Sequence, residues 1–208
     1  MKLLLTSTGL STKNITDVFL AELKKDPSDC RVLMIAYAIS DEERVYVEDS
    51  KREMVQLGFK EIKLLNLHNQ INIKALTDFD VIYVCGGNTF SILDQIRRHG
   101  LDSLIVNLVK NGSFYVGVSA GSILAGPDIA IAGWDKTWDK NLVGLKDTTG
   151  FNLVDFAVAP HFTEKERDIL KRKSKDINYR VIPITDAQAV LVRDNGYQII
   201  GDDSKAKL

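Results

Sequence analysis

Through roughly the first 120 residues of this 208-residue chain, short apolar runs alternate with longer segments whose apolar residues recur at helical spacing. Five of these runs are apolar on both faces, as buried parallel strands require, and they lie at residues 3–5, 32–35, 62–65, 81–84 and 114–118. Because parallel strands need crossover helices, the alternation predicts an α/β fold, a three-layer sandwich with a mostly parallel sheet and helices on both faces. Later apolar runs predict four further strands, the last two forming a hairpin around residues 194–196, and they lie at 156–159, 181–184, 189–192 and 197–200.

Capping residues and glycines predict where the helices begin and end. Ser40 and Glu43 form a capping box, and the helix that it opens is expected to end at Gly58. Two further apolar stripes at helical spacing end at Gly100 and Gly112. Neither a linker nor an internal repeat separates these elements, so we expect a single domain over residues 1–208.

The charge balance and the cysteine content exclude several functional classes. With 27 Lys and Arg residues against 28 Asp and Glu residues, the chain lacks the excess positive charge that binding to nucleic acid requires. The two cysteines, Cys30 and Cys85, lie far apart in apolar surroundings, which favours a reducing compartment and predicts neither a disulfide nor a zinc site. No stretch approaches the roughly 18 apolar residues of a membrane span, and the apolar run at the amino end is too short for a signal peptide. We therefore expect a cytoplasmic protein without a membrane partner, either a monomer or a homodimer.

The most specific motif is G-x-S-x-G, which residues 117–121 match as GVSAG. An apolar strand precedes it and small residues that can start a helix follow it, which is the context of a nucleophile elbow. In such an elbow the central residue projects from the carboxyl edge of the sheet, so Ser119 is the candidate nucleophile. The alternative is a tight strand-to-helix turn in which Ser119 only caps the helix.

A second glycine motif lies in residues 86–88, GGN, directly after the strand at 81–84. In α/β enzymes with a nucleophile elbow, the amide after the nucleophile and an amide from a neighbouring strand-to-helix loop stabilise the oxyanion. By this logic the amides of Ala120 and Gly87 are the candidate oxyanion hole. The alternative is that these glycines only turn the chain before a helix that Asn88 caps.

A serine nucleophile needs a general base, and the chain has three histidines. His99 precedes Gly100 at a predicted helix end, and His68 lies in a polar connection without a strand to fix it. His161 follows the apolar run at 156–159, so it is expected at a strand end beside Ser119, provided that both strands share one sheet. His161 is therefore the candidate base.

The base in turn needs a carboxylate to orient its imidazole. Asp186 follows the apolar run at 181–184 and is the best candidate, although it could instead be an ordinary turn residue. The other carboxylates nearby are less suitable, because Asp194 falls in the predicted hairpin and Asp202 and Asp203 in a tail that is expected to be frayed.

Three segments in this order resemble peptidase E and its relatives, a serine peptidase family that includes the cyanophycinases. They read VCGGNTF at 84–90, GVSAGS at 117–122 and APHF at 159–162. The resemblance covers essentially the whole chain, and it implies a fold like that of class I glutamine amidotransferases. It also implies a Ser-His-acid exopeptidase that removes amino-terminal aspartate from dipeptides, with Ser119 as nucleophile and Gly87 and Ala120 at the oxyanion.

The chain departs from the family pattern at two places, and these limit which residue roles and which specificity the resemblance implies. Peptidase E has a glutamate as the acid of its triad, whereas this chain offers the shorter Asp186. The family also has a longer segment after its Pro-His-Phe motif, whereas here Thr163 and Glu166 form a capping box that opens directly into a charged helix. Arg167 is the nearest match to an arginine of that segment that would bind a substrate aspartate. The alternative is that it is a solvated charge on this helix.

The sequence therefore predicts a serine exopeptidase for small peptides that uses Ser119, His161 and Asp186 and needs neither a metal nor another cofactor. Asn88 and Arg167 are the candidate substrate-binding residues. Trp134 and Trp138 follow the elbow and could either wall its pocket or form a surface turn or subunit contact. The alternatives are the same machinery acting on a cyanophycin-like peptide or an ester, and a non-catalytic binding protein that keeps the amidotransferase-like fold.

Overall fold

A seven-stranded sheet forms the centre of the computed structural model, which describes residues 1–38, 40–194 and 196–201. Its strands run in the order β3-β2-β4-β5-β1-β8-β9. The five strands from β1 to β5 are parallel, whereas β8 and β9 are antiparallel to their neighbours. Their bounds are Lys2–Thr6 (β1), Arg31–Ala36 (β2), Glu61–Asn66 (β3), Val81–Val84 (β4), Phe114–Val118 (β5), Ala189–Arg193 (β8) and Gly196–Ile200 (β9). The predicted mostly parallel sheet is confirmed.

Helices cover both faces of the sheet. Alternate strand residues point to opposite faces, so Leu3 and Leu5 pack in one buried cluster with the helices Thr89–Arg98 and Leu101–Lys110, while Leu4 packs in another with the helices Lys13–Glu22 and Asp41–Gln56. This is the predicted three-layer sandwich. The helices are Lys13–Glu22 (α1), Asp41–Gln56 (α2), Thr89–Arg98 (α3), Leu101–Lys110 (α4), Ala120–Leu124 (α5) and Arg167–Lys173 (α6).

The predicted helix signals are present, with one omission. The side-chain hydroxyl of Ser40 accepts the backbone N–H of Glu43, and the carboxylate of Glu43 accepts the backbone N–H of Ser40, so the capping box is confirmed. The second capping box, between Thr163 and Glu166, leads into a short 3₁₀ turn before α6. Helix α1, which Thr12 caps, was not predicted.

The strands before His161 and Asp186 do not join the main sheet. Phe156–Ala159 (β6) and Arg180–Pro183 (β7) pair in parallel with each other as a separate two-stranded sheet. The condition that the strand before His161 shares the sheet of Ser119 is therefore not met. The physical reason is that the place beside β1 is taken by β8, which pairs there in antiparallel orientation.

Two further findings concern the predicted strands at the edges of the main sheet. Strand β3 is the edge of the sheet, so it is not buried on both faces: its residues alternate between exposed and partly buried from Glu61 to Leu64, and of its six residues only Leu65 is buried. The predicted hairpin is formed by β8 and β9, although Asn195 within its turn lies outside the described residues, as do Asp202 and Asp203. In the part of the chain that the structure describes, none of the helices has the length and apolar character needed to cross a bilayer.

Candidate active site

Ser119 lies at the turn between β5 and α5, at the carboxyl edge of the parallel strands. Its backbone has φ 49° and ψ −106°, a conformation that is strained for a residue with a side chain. The turn is tight, since a β-carbon on Gly117 or on Gly121 would collide with neighbouring backbone. The carbonyl of Thr6, the last residue of β1, accepts the Ser119 N–H at 3.0 Å and fixes the turn to the adjacent strand. These are the features of a nucleophile elbow.

The structure brings Ser119, His161 and Asp186 into one hydrogen-bonded chain. The Oγ of Ser119 lies 2.9 Å from Nε2 of His161, and Nδ1 of His161 lies 2.7 Å from Oδ1 of Asp186. An ionised carboxylate only accepts hydrogen bonds, so the proton on the neutral imidazole belongs to Nδ1. The lone pair of Nε2 then faces the hydroxyl of Ser119.

His161 and Asp186 are held together by the ends of β6 and β7. The N–H of Ile184 donates to the carbonyl of Ala159 at 2.9 Å, and the N–H of Phe162 donates to the carbonyl of Ile184 at 3.0 Å. His161 itself adopts φ 57°, which turns the chain sharply after the strand. The two side chains therefore meet although their strands belong to the small sheet and not to the main one.

Ser7, which the sequence analysis did not single out, also belongs to this site. It follows the last residue of β1 and is 1% exposed. Its hydroxyl donates to Oδ1 of Asp186 at 2.7 Å and accepts the backbone N–H of His161 at 2.8 Å. Its position directly after a strand is the same signal that marked His161 and Asp186, but a single serine in a loop carries no motif of its own.

The glycine loop, which consists of residues 86–88, lies against the nucleophile elbow. A β-carbon on Gly86 would be 3.4 Å from Cβ of Ser119, and Gly87 has φ 134°, a conformation that side chains rarely adopt. Ala120 is the first residue of α5, and first-turn amides have no acceptor within the helix. The loop that contains Gly87 and the helix turn that contains Ala120 thus both adjoin Ser119.

Asn88 has a structural role in this conformation. Its Oδ1 caps α3 by accepting the N–H of Ser91 at 3.0 Å, and its Nδ2 donates to the carbonyl of Lys140 at 3.1 Å. It therefore ties the glycine loop to the segment that contains the two tryptophans.

A cavity of about 380 Å³ opens beside Ser119 and His161. Trp138 lines it, whereas Trp134 packs against the core and is not among the lining residues. Asp139 also lines it, and its Oδ2 accepts both the N–H and the hydroxyl of Thr89 at 2.7 and 2.6 Å. Among the described residues that line the cavity, two are carboxylates, Asp139 and Glu166, and none is lysine or arginine.

Arg167 lies outside the residues that line this cavity. Its Nε and Nη2 donate to the two carboxylate oxygens of Glu164 at 2.7 and 2.8 Å, and its guanidinium lies 5.4 Å from the ring centre of Phe162. The structure therefore does not bring Arg167 together with Ser119 and His161 in this conformation.

The other histidines and Cys85 lie apart from the site. His99 ends α3, where its Nε2 lies 3.0 Å from the carbonyl of Leu67, and His68 stacks on Tyr37 with ring centres 4.3 Å apart. Burial raises the pKa of the Cys85 thiol to about 12, so it stays protonated, in agreement with the apolar surroundings of Cys85 in the sequence.

A strained serine elbow with a histidine and a carboxylate in hydrogen-bond contact, on a three-layer α/β sandwich, is the arrangement that serine hydrolases share. The comparisons with known proteins place this chain within that class. The model of peptidase family S51 matches residues 3–200. The chain belongs to this family and is a serine-type peptidase of the peptidase E-like kind.

Its relatives differ in how much of their length they share with it. An uncharacterized peptidase of Listeria innocua serovar 6a is 34% identical over 193 residues, which cover 88% of this chain and 90% of the relative. Peptidase E of Shigella flexneri is 28% identical over 148 residues, covering 71% of this chain and 61% of that protein.

Solved structures agree with the fold. A crystal structure from Listeria monocytogenes EGD-e, provisionally designated a peptidase E protein, superposes with a TM-score of 0.77 at 27% identity and covers 97% of this chain and 98% of that chain. A peptidase from an acI-B1 Actinobacterium has a TM-score of 0.69 at 20% identity, covering 97% of this chain and 87% of that chain, and shares the fold.

Proposed function

We propose that this protein is a serine exopeptidase that hydrolyses small peptides through an acyl-enzyme on Ser119. The observation that carries the proposal is the continuous hydrogen-bonded chain from Ser119 through His161 to Asp186, at 2.9 and 2.7 Å. This chain supports the roles of Ser119 as nucleophile, His161 as general base and Asp186 as the carboxylate that orients the base.

In the proposed reaction, Oγ of Ser119 attacks the carbonyl carbon of the scissile bond while its proton passes to Nε2 of His161. The C–N bond then breaks, the leaving amine takes this proton, and the acyl group stays on Ser119. A water molecule then gives a proton to Nε2 of His161 and attacks the ester carbonyl. The bond between the acyl carbon and Oγ of Ser119 breaks, this proton passes from His161 to Oγ, and the acid product leaves. The amides of Gly87 and Ala120 donate hydrogen bonds to the oxyanion that forms in acylation and again in deacylation.

The size and charge of the cavity bear on the substrate. At about 380 Å³ the cavity suits one or two residues of a peptide, which favours an exopeptidase over an enzyme for long chains. Amino-terminal aspartate would need a cation, and the candidate Arg167 is paired with Glu164, whereas the carboxylates of Asp139 and Glu166 line the cavity. We therefore expect peptides with a neutral or basic first residue to be cleaved at least as well as those that begin with aspartate.

The test is hydrolysis of Asp-Leu, Glu-Leu, Ala-Leu, Lys-Leu and amino-blocked Asp-Leu by the wild type and by Ser119→Ala. Ser113→Ala is the matched control, because Ser113 is a buried serine at the amino end of β5, where its hydroxyl donates to the carbonyl of Phe79. We expect Ser119→Ala to keep the fold and to lose turnover by about 10⁴-fold or more, and Ser113→Ala to remain active.

Each outcome selects one interpretation. Serine-dependent cleavage of Asp-Leu alone would restore aspartate specificity and a role for Arg167. Full activity of Ser119→Ala would refute the nucleophile. If the wild type cleaves none of the dipeptides, the same panel extended to a cyanophycin-like branched peptide and an ester separates another substrate class from a non-catalytic binding protein.

A further inference from the structure

Ser7 contacts both His161, the candidate general base, and Asp186, the carboxylate that orients it, although it follows β1 and lies in neither of the strands that precede them. Its hydroxyl hydrogen can be donated only once, and Oδ1 of Asp186 at 2.7 Å is the acceptor. Its oxygen accepts the backbone N–H of His161 at 2.8 Å and also lies 3.2 Å from Nδ1 of the imidazole. One buried hydroxyl therefore contacts the backbone and the ring of the base and the carboxylate that orients it.

The pair that Ser7 contacts is exposed and needs such an anchor. The side chains of His161 and Asp186 are 51% and 64% exposed, whereas Ser7 is 1% exposed. A hydrogen bond between two exposed side chains gains little net free energy, because water competes for both partners and their side chains lose rotational freedom. Without a third, buried partner, the carboxylate of Asp186 has other rotamers available in solvent.

The residue before Ser7 fixes the nucleophile in the same way. The carbonyl of Thr6 accepts the N–H of Ser119 at 3.0 Å and the hydroxyl of Ser122 at 2.7 Å. Consecutive residues at the end of β1 thus hold the elbow on one side and the histidine–aspartate pair on the other. The nucleophile and the base are both hydrogen-bonded to the end of this buried strand, and this shared attachment sets the distance between them.

We infer that Ser7 is a positioning residue of the catalytic site: its hydroxyl holds Asp186 and His161 in register with Ser119. The inference rests on the proposed function, since it assigns Ser7 a role through the base. Ser7 does not touch the reacting atoms and transfers no proton to the substrate.

The experiment compares Ser7→Ala, Ser7→Thr and the buried control Ser113→Ala with the wild type. We expect Ser7→Ala to lower kcat for the best-cleaved dipeptide by about 10- to 100-fold with little change in KM, because the base is misplaced while the cavity is intact. Ser7→Thr, which keeps the hydroxyl, should restore most of kcat. Thermal unfolding of each variant verifies that the fold is retained.

A second readout needs no substrate. A proton between Nδ1 of histidine and a carboxylate gives a low-field proton NMR signal when an ordered hydrogen bond slows its exchange with water, and Asp186→Ala identifies the signal of His161. We expect this signal to be lost in Ser7→Ala and kept in Ser7→Thr and Ser113→Ala.

The two readouts separate failure of this inference from failure of the proposed function. Full activity of Ser119→Ala would refute the proposed function, while the NMR signal would still report whether Ser7 orders the pair. Ser7→Ala with an unchanged signal and an unchanged kcat would overturn the role of Ser7 in an otherwise active enzyme. A loss of kcat that Ser7→Thr does not reverse would overturn it as well.

Discussion

A β-carbon placed on Gly117 would lie 2.5 Å from the carbonyl oxygen of Gly121, four residues further along the chain. Gly117 is the penultimate residue of β5, and Gly121 lies in the first turn of α5, so the helix folds back directly onto the strand that precedes it. The two glycines of the G-x-S-x-G motif are thus required by close packing of backbone on backbone. This packing is what leaves Ser119 projecting from the turn.

We therefore expect Gly117→Ala to destabilise the protein strongly. Backbone atoms cannot move aside as a flexible side chain can, so we expect a loss of about 3 kcal/mol or more, which for a chain of this size is roughly 6–12 °C in Tm. Circular dichroism on heating measures this change. The fraction of Gly117→Ala that stays folded should have low peptidase activity, because Ser119 is displaced.

Gly144→Ala is the control for this prediction. A β-carbon there would meet no atom within 4 Å, and only the positive φ of 65° opposes the substitution, at about 1–2 kcal/mol. Equal Tm values for the two variants would show that the elbow tolerates a side chain at residue 117 and would contradict the packing argument.

Glu53 links the loop after β1 to helix α2. Its Oε2 accepts the N–H of Leu10 at 3.3 Å, and burial raises the pKa of its carboxyl above the ordinary 4.5. A raised pKa means that the folded protein binds this proton more tightly than the unfolded chain does. The carboxyl is therefore most favourable to folding at pH values below 4.5, and this contribution is lost as the pH rises through the folded-state pKa.

We expect Glu53→Gln to remove this dependence. Glutamine keeps an oxygen that can accept the N–H of Leu10 and carries no charge to bury, so the Tm at neutral pH should be equal to or higher than that of the wild type. The measurement is Tm against pH from 4 to 8 for both proteins, with the exposed Glu48 of the same helix, as Glu48→Gln, for comparison. A Tm that falls at neutral pH only in Glu53→Gln would show that the charge itself stabilises the loop.

Local sequence patterns predicted the parts of the site that depend on neighbours along the chain. Ser119 lies in a motif whose glycines and preceding strand define its conformation, and His161 and Asp186 each follow an apolar run that does form a strand. Because a strand end is set by a change from apolar to polar residues, these positions can be recognised without knowing the topology.

Features that depend on contacts between distant segments could not be predicted. Strands β6 and β7 pair in a separate sheet because β8 occupies the place beside β1. The local sequence of these strands does not indicate which of them pairs with β1. Ser7 is 154 residues from His161 and 179 from Asp186, so its role appears only once the chain is folded. The same holds for Asp139, which follows Trp138 in the sequence and lies in no motif of its own.

Arg167 offers a direct test of aspartate specificity. Since the half-buried guanidinium of Arg167 is paired with Glu164 and lies outside the residues that line the cavity, we expect Arg167→Met to change kcat/KM for Asp-Leu and Ala-Leu by the same factor, within about twofold. Arg172→Met, on the exposed part of the same helix, is the matched control. A loss of about tenfold or more that is confined to Asp-Leu would instead identify Arg167 as a ligand of the substrate carboxylate.

Asp139 gives the complementary test, because its carboxylate lines the cavity beside Ser119. Removing this negative charge with Asp139→Asn should favour substrates with an acidic first residue. We expect kcat/KM for Asp-Leu relative to Lys-Leu to rise several-fold, as a change of about 1 kcal/mol in the charge interaction implies. Asparagine keeps an oxygen that can accept the bonds from Thr89, so the loop should stay in place.

The same loop supplies a closely matched control in Asp135. Its carboxylate accepts the N–H and the hydroxyl of Thr137 at 2.9 and 2.7 Å, as Asp139 does for Thr89, but it is not among the residues that line the cavity. Asp135→Asn removes the same charge from the same loop and should leave the preference unchanged. If both variants shift the preference equally, the cause is the overall field of the loop, and Asp139 does not act as a local determinant of specificity.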